Sequence, residues 1–185
     1  MPTTNTTPRP PHPLLERLIA LGKLLDSIII KLCAALAGVM VLIVWFGILS
    51  RYGLQLGVGW TEVLARYVMI WAALLAIPVG VFRREHIGFV MLFSLISPAK
   101  QRLLRLLLDL IGLGFFLFLA WYGIGMAAQG ATQFATIFGM TMLVPFASVP
   151  VSAGLAALQT LIVMLRDFFH PPEVGLHELP MEEAK

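Results

Sequence analysis

The sequence predicts an all-α integral membrane protein with four transmembrane helices. Of the 185 residues, 59% are hydrophobic and only 12% are charged, whereas a soluble domain carries roughly 25% charged residues. The chain also contains several uncharged apolar runs near the length of about 20 residues that crosses a bilayer core roughly 30 Å thick. Lipid, rather than water, is therefore the solvent that this composition favours.

The four spans are expected at residues 32–50, 63–82, 103–128 and 143–165. The first ends at Arg51, ahead of a Gly-rich turn. The second contains Pro78, which cannot donate a backbone hydrogen bond, so a kink is predicted there. The last two come from a stretch without charge that is too long for one span. Gln129, Gly130 and the Thr- and Gly-containing segment after them divide it.

The segments around the spans differ from them in composition. Residues 1–13 are rich in Pro and Thr and predict a disordered tail rather than a signal peptide. Residues 14–30 alternate apolar and charged side chains, which favours an amphipathic helix at the membrane surface. Residues 87–97 are apolar but too short to span, and predict a second interfacial segment. Residues 14–166 thus form one membrane domain, and 167–185 form a polar tail.

Basic residues are unevenly distributed between the two sides of the predicted bundle. The loops after the first and third spans carry Arg51 alone, whereas the other flanks and the middle loop carry Arg9, Arg17, Lys23, Lys31, Arg83, Arg84, Lys100, Arg102, Arg105 and Arg166. Since cytoplasmic loops are enriched in Lys and Arg, both termini and the middle loop are predicted to be cytoplasmic.

The sequence shows no cluster of residues typical of catalysis or metal binding. The histidines are scattered over the tails and one loop without metal-ligand spacing, and the single cysteine, Cys33, has no partner. We therefore expect neither an enzyme nor a metal or cofactor site, and no nucleic-acid partner. A carrier acting alone should show polar groups near the membrane midplane, yet the ionisable residues Lys31, Glu62, Arg66 and Asp109 lie near span ends. The substrate path is expected on another chain.

Two charges near the start of the second span are the principal candidates for a functional contact. Glu62 and Arg66 are four residues apart on one helix face and can form an ion pair, with Trp60 as an outer anchor before them. Three interpretations stay open: an interfacial pair that closes on itself, a polar contact with a partner subunit or another span, and an ion-binding role.

Two further groups of residues are candidates for contacts. A stripe of small residues in the second span could let another helix approach closely, and consists of Ala72, Ala76 and Gly80. The basic residues near the cytoplasmic face are expected to set topology and contact anionic lipids, with protein docking as the alternative; they are Arg83, Arg84, Lys100, Arg102 and Arg105. Asp109, four residues after Arg105, is expected to be structural, because its charge suits a helix N-terminus.

The second span carries a resemblance to a known family. Its pattern of Trp60-Thr61-Glu62, Leu64-Ala65-Arg66, Trp71, the small-residue stripe and Arg83-Arg84-Glu85-His86-Ile87 closely resembles the small membrane subunit, called DctQ-like, of tripartite ATP-independent periplasmic (TRAP) transporters. The similarity extends over most of the chain from Lys31 to Leu165, including the Ser97-Pro98 break and Pro150.

The resemblance implies a non-catalytic subunit of the bacterial inner membrane. In such transporters a periplasmic binding protein delivers an organic acid, for instance a C4-dicarboxylate or a sialic acid. A large permease subunit holds the substrate and sodium sites, and the small subunit is part of its static scaffold. Membrane lipids would surround the pair, and sodium is expected on the large subunit only. The alternative function is a self-contained small oligomeric carrier or channel; a small enzyme of lipid metabolism is disfavoured by the missing catalytic cluster.

Overall fold

A computed structural model describes residues 13–56, 58–84, 98–135 and 139–169. In these residues the chain forms four α-helices, which are α1 (Pro13–Ile48), α2 (Trp60–Arg83), α3 (Pro98–Gly130) and α4 (Leu143–Phe169). A π-helical turn, Leu49–Gly53, follows α1 directly. Each of the four helices is long and apolar enough to cross a membrane, which confirms the predicted all-α membrane class.

The helices extend slightly beyond the predicted spans. Helix α3 begins and ends outside residues 103–128, and α4 continues to Phe169, so its last turn includes residues 167–169 that were assigned to the tail. Helix α2 continues through Pro78 without interruption. The predicted interfacial segment at 87–97, residues 1–12 and residues 170–185 lie outside the described part of the chain.

Helix α1 joins two segments that the sequence analysis separated. Residues 14–30 were expected as a surface helix distinct from the span at 32–50, but α1 runs unbroken from Pro13 to Ile48. No Gly or Pro lies near residue 31 to end a helix. The first half of α1 also contacts the bundle, because Gly22 packs on α4 and Asp26 pairs with Arg83 of α2. At 1.5 Å per residue, 36 residues reach about 54 Å, well beyond a hydrocarbon core.

The helices pack in the order α1, α2, α4, α3. Helix α2 packs against both α1 and α4, and α3 packs against α4. Helix α4 is the most buried and α2 the next, whereas the most apolar stretches of α1 and α3 contain no buried residue. The two central helices therefore form the core, and the two flanking helices present long apolar faces to the surroundings.

Apolar clusters join α1 to α2 and α2 to α4. Ile29 of α1 packs with Leu75 and Val79 of α2. Further along, Phe82 of α2 packs with Ile162 and Val163 of α4. Because lipid tails are as apolar as these side chains, tight van der Waals packing rather than the hydrophobic effect holds membrane helices together.

Two glycines allow close approach of α1 and α3 to the central helices. A Cβ on Gly22 of α1 would lie 2.7 Å from the Phe82 ring, and a Cβ on Gly123 of α3 would lie 3.1 Å from both Cδ and N of Pro150. Pro150 has no N–H, so it can face the α3 backbone without hiding a donor. Close backbone approach at small residues is the usual device for packing helices in lipid.

The two ends of the bundle are distinct, and we name them for their contents. The charged end contains the start of α1, the end of α2, the start of α3 and the end of α4, and holds the inter-helix ion pairs. The hairpin end contains the α3–α4 connection, in which Ala135 N–H donates to Met140 O at 2.7 Å and Met142 N–H donates to Gln133 O at 2.8 Å. Trp71 of α2 contacts the first turn of α4 after this connection, because its Nε1 donates to Val144 O at 3.1 Å.

We predict that Gly22→Ala destabilises the fold while Gly38→Ala does not. The new methyl group at residue 22 would meet Phe82, Ile162 and the Gln159 amide oxygen, whereas nothing lies within 4 Å of a Cβ at residue 38 of the same helix. Overpacking of this kind typically costs about 1–3 kcal/mol, while Ala in an open helix position gains up to about 1 kcal/mol over Gly. Unfolding of the full chain in detergent with increasing dodecyl sulfate measures both. Equal stability of the two variants would contradict the close packing of α1 on α4.

Candidate functional site: the two polar ends of the bundle

Arg84 ends α2 in a backbone conformation that is unusual for a side chain with a Cβ. Its φ and ψ of 53° and 31° are left-handed, and its N–H caps the helix by donating to Gly80 O and Val81 O. Glycine is the usual residue here, because other L-residues incur about 1–2 kcal/mol of steric strain. An arginine at this position indicates that its side chain is needed.

The Arg84 guanidinium lies between the carboxylates of α3 and α4. Nη2 donates to Asp109 Oδ2 at 2.8 Å and Nη1 donates to Asp109 Oδ1 at 3.3 Å, a bidentate pair. Nη2 also lies 2.7 Å from Asp167 Oδ2, in a charge contact that does not have hydrogen-bond geometry. The three side chains expose only 18%, 17% and 13% of their surfaces for Arg84, Asp109 and Asp167. One cation thus joins three helices at a half-enclosed site.

Arg83 connects α1 to α2 at the same end of the bundle. Arg83 Nη2 donates to Asp26 Oδ2 at 2.9 Å, with Nε 3.3 Å from both carboxylate oxygens. Arg166 Nε donates to Asp167 Oδ1 at 2.9 Å. All four helices therefore contribute to one group of ion pairs, the four-helix ion network, made of Asp26, Arg83, Arg84, Asp109, Arg166 and Asp167.

The network gives different surroundings to the basic residues that were predicted to contact lipid. The carboxylates of the chain itself engage Arg83 and Arg84, so their first role in the structure is to join helices. Lys100 and Arg102 are exposed, and Arg105 is half-buried. Lipid contact or docking by this group stays a prediction. Asp109 was expected to be structural beside Arg105, and the structure pairs its carboxylate with Arg84.

The predicted pair of Glu62 and Arg66 is formed within the chain at the hairpin end. Arg66 Nη2 donates to Glu62 Oε1 at 3.1 Å, and the two side chains expose 59% and 78% of their surfaces for Arg66 and Glu62. Trp60 lies two residues before Glu62, with its ring 5.9 Å from that of Phe46 in α1. An exposed pair of this type contributes at most about 1 kcal/mol, so its contact with a partner chain stays a prediction.

The small-residue stripe does not form one continuous buried face. Gly80 is buried and Ala72 is half-buried, but Ala76 between them is exposed. The Ala72 carbonyl accepts a long hydrogen bond of 3.6 Å from Cys33 Sγ of α1. Within the chain, α2 packs mainly through larger apolar residues, and Ala76 is left for lipid or another subunit.

Polar side chains along α4 are buried and were not singled out from the sequence. Ser148, Ser152 and Thr160 donate to backbone carbonyls three or four residues earlier in the same helix. Gln159 is fully buried and donates from Nε2 to Gly22 O at 3.2 Å. Hydrogen bonds within the same helix explain why hydroxyl groups are tolerated here, and Gln159 fastens α1 onto α4.

Charged side chains of the described residues form ion pairs rather than a metal-binding group. No group of three or more His, Cys, Asp or Glu side chains that could hold a metal ion occurs in the described ranges. The clusters at both ends are ion pairs between Arg and carboxylates, whose charges hold and orient one another. The described residues thus form a bundle of apolar helices with ion pairs at both ends.

Comparison with known proteins identifies the family. Residues 40–170 match the family model described as "Tripartite ATP-independent periplasmic transporters, DctQ component". The chain belongs to the DctQ family. The match covers all of α2, α3 and α4 together with the Arg84 contacts and the Glu62–Arg66 pair. The resemblance stated from the second span is thereby confirmed.

Two curated relatives agree with this assignment. A protein of Haemophilus influenzae, named as a TRAP transporter small permease protein, is 28% identical over 80 residues, covering 43% of this chain and 50% of the relative. The isethionate TRAP transporter permease protein DctMQ of Oleidesulfovibrio alaskensis is 28% identical over 130 residues, covering 66% of this chain and 20% of the relative. The chain thus spans half, or less, of the relatives that it matches.

Family membership determines the class and the location of the protein. DctQ proteins are transporter components, so the prediction that this chain is not an enzyme is confirmed. Together with the four apolar helices, the family places the chain in the bacterial inner membrane as a multi-pass protein. The orientation of the termini stays a prediction.

We predict that Arg84→Gly strongly destabilises the bundle although glycine suits the left-handed backbone. Relief of strain gains about 1–2 kcal/mol, but removing one partner of a largely buried ion pair costs about 3–5 kcal/mol. The matched control is Arg66→Gln, whose exposed pair is worth at most about 1 kcal/mol. Unfolding of both variants in detergent, followed by circular dichroism, measures the difference. An Arg84→Gly variant as stable as wild type would show that the network does not hold the helices together.

Proposed function

We propose that this chain is the small permease subunit of a TRAP transporter and acts as a non-catalytic scaffold for a large permease subunit. The observation that carries the proposal is the position of its charges. From residue 32 to 50, from 67 to 82 and from 110 to 165 the chain has no ionisable Asp, Glu, Lys, Arg or His residue. A coupled carrier needs polar groups near the midplane, so substrate and sodium sites belong to a different chain.

The relation to a longer permease supports a large partner. The DctMQ protein matches this chain over only 20% of its own length. In that protein a DctQ-like region is therefore part of a much larger permease polypeptide. The simplest equivalent for this chain is a separate large subunit bound to the apolar faces that α1 and α3 leave uncovered.

The packing of the bundle suits a fixed partner for a moving subunit. The four-helix ion network joins all the helices at one end. Close contacts at Gly22 and Gly123 pack α1 and α3 tightly against α4. A helix bundle tied in this way resists sliding of one helix past another. We propose that the large subunit moves its substrate against this frame.

The transported substrate is proposed at the level of chemical class. The family name designates periplasmic transporters that do not use ATP, and one relative is named for isethionate, a small organic sulfonate. We propose sodium-driven uptake of a small organic anion that a periplasmic binding protein delivers, with the sodium sites on the large subunit.

We predict that this chain copurifies with a large permease subunit and is required for its transport. Cells that express the large subunit and its binding protein, with or without this chain, are tested for sodium-dependent uptake of labelled succinate, sialic acid and isethionate. Uptake should be abolished without the chain, and a tag on the chain should retain the large subunit after detergent extraction. An empty-vector strain and a sodium-free medium are the controls.

Two results would contradict the scaffold proposal. One is uptake by the large subunit and binding protein that is unchanged when this chain is omitted. The other is sodium-dependent flux of any of these anions into liposomes that contain this chain alone, which would favour the self-contained carrier.

A further inference from the structure

A groove with a volume of about 520 Å³ opens at the hairpin end between the last turn of α1, the π-helical turn and the start of α2. Four side chains with polar groups line it, and they are Arg51, Tyr52, Thr61 and Glu62. Apolar residues that lie deeper in the spans complete its wall, among them Val44, Ile48 and Ala65. The volume is in the range of sites that hold small ligands.

The walls of the groove are held by the local backbone. At its base α1 and α2 touch, because a Cβ on Gly47 would lie 2.8 Å from Thr61 Oγ1. The π-helical turn, Leu49–Gly53, begins two residues after Gly47 and forms the next part of the wall through Arg51 and Tyr52. Ser50 is buried and fixes this turn, since its Oγ donates to Leu56 O at 3.2 Å and its carbonyl accepts from Leu56 N–H at 2.9 Å.

Hydrogen-bond donors without partners converge on the groove. No carboxylate of the described residues pairs with Arg51. Gly59 provides no side-chain cap for α2, so the helix N-terminus presents uncapped N–H groups beside the groove. Thr61 is only 6% exposed, and its hydroxyl has no hydrogen-bond partner in the described part of the chain. A guanidinium, a helix N-terminus and a buried hydroxyl together are the donors that bind phosphate.

An acceptor lies on the same rim. Glu62 uses Oε1 to accept from Arg66, and its carboxylate is largely exposed. The groove therefore offers one site for an anion and one for a cation within a single rim. This pattern fits a zwitterionic group, since Oε2 of Glu62, which takes no part in the bond to Arg66, can accept from an ammonium group.

The apolar wall and the aromatic surroundings indicate a lipid rather than a soluble molecule. Tyr52 lines the groove, and Trp60 lies at the start of α2. Aromatic residues of this type mark the headgroup level of a bilayer. A soluble ion would leave the apolar wall below the rim uncovered, whereas an acyl chain would cover it.

We propose that this groove binds a phospholipid with an ethanolamine headgroup. The phosphate is held by Arg51, the Thr61 hydroxyl and the N-terminus of α2. The ammonium group donates to Glu62, and one acyl chain lies along Val44, Ile48 and Ala65. The proposal concerns a lipid at the hairpin end and is independent of transport by a partner subunit.

The test is lipid binding by the full chain in detergent. The melting temperature is measured against added dioleoylphosphatidylethanolamine, dioleoylphosphatidylglycerol or inorganic phosphate, and apparent Kd values are compared. Arg51→Gln should weaken phosphatidylethanolamine binding about tenfold, the value of one charge-assisted hydrogen bond, and Thr61→Val about fivefold, the value of a neutral one. Arg17→Gln, which removes an exposed arginine at the opposite end of α1, is the matched control and should bind like wild type.

The Glu62→Gln variant tests recognition of the ethanolamine amine separately from recognition of the phosphate. It should abolish the preference for phosphatidylethanolamine over phosphatidylglycerol while retaining binding of both. Unchanged phosphatidylethanolamine affinity in both Arg51→Gln and Thr61→Val would overturn the site. Stabilisation by inorganic phosphate equal to that by lipid would overturn the lipid as its occupant, and tighter binding of phosphatidylglycerol in wild type would overturn the ethanolamine headgroup.

Discussion

The side chain of Arg84 is the contact on which the packing order depends. Helices α2 and α3 do not pack along their lengths, because α4 lies between them. Arg84 nevertheless joins them, since it extends past the end of α2 to Asp109 of α3 and Asp167 of α4. A half-buried guanidinium needs a carboxylate close by, so the position of α3 relative to α2 is restricted by charge where apolar packing does not restrict it. Because Arg84 has a left-handed backbone conformation, this arrangement also introduces local backbone strain.

Packing in the apolar part of the bundle follows from the same lipid environment. Large apolar side chains alone cannot specify a helix order, because lipid would cover them equally well. The shapes of the contacting residues specify the order instead, because Gly22 leaves room for the Phe82 ring and Gly123 leaves room for Pro150. The buried amide of Gln159 adds a directional contact to the backbone of α1. These contacts place α2 and α4 in the centre and leave the apolar faces of α1 and α3 for lipid or a larger subunit.

The two ends of the bundle satisfy their charges in different ways, and this difference bears on function. At the charged end the carboxylates come from the chain itself, and the pairs connect helices. At the hairpin end Glu62 pairs, among the described residues, with Arg66 of the same helix, and Arg51 lines a groove. The ion pairs of the charged end therefore join the helices to one another. The polar groups of the hairpin end can instead contact a ligand or another chain.

The sequence by itself determined the membrane class, the four spans and the DctQ family, because hydropathy and motif spacing are local properties that any fold of the chain retains. Only the tertiary structure decided the partners of the charges. Asp109 lies four residues from Arg105 but pairs with Arg84, 25 residues away, and Asp26 pairs with Arg83 across 57 residues. It also decided that α1 is one helix and that Ala76 is exposed. Ion pairs and packing faces depend on which helices become neighbours. The order of the helices is in turn determined by glycine contacts and by Arg84, which connect parts of the chain that are distant in sequence.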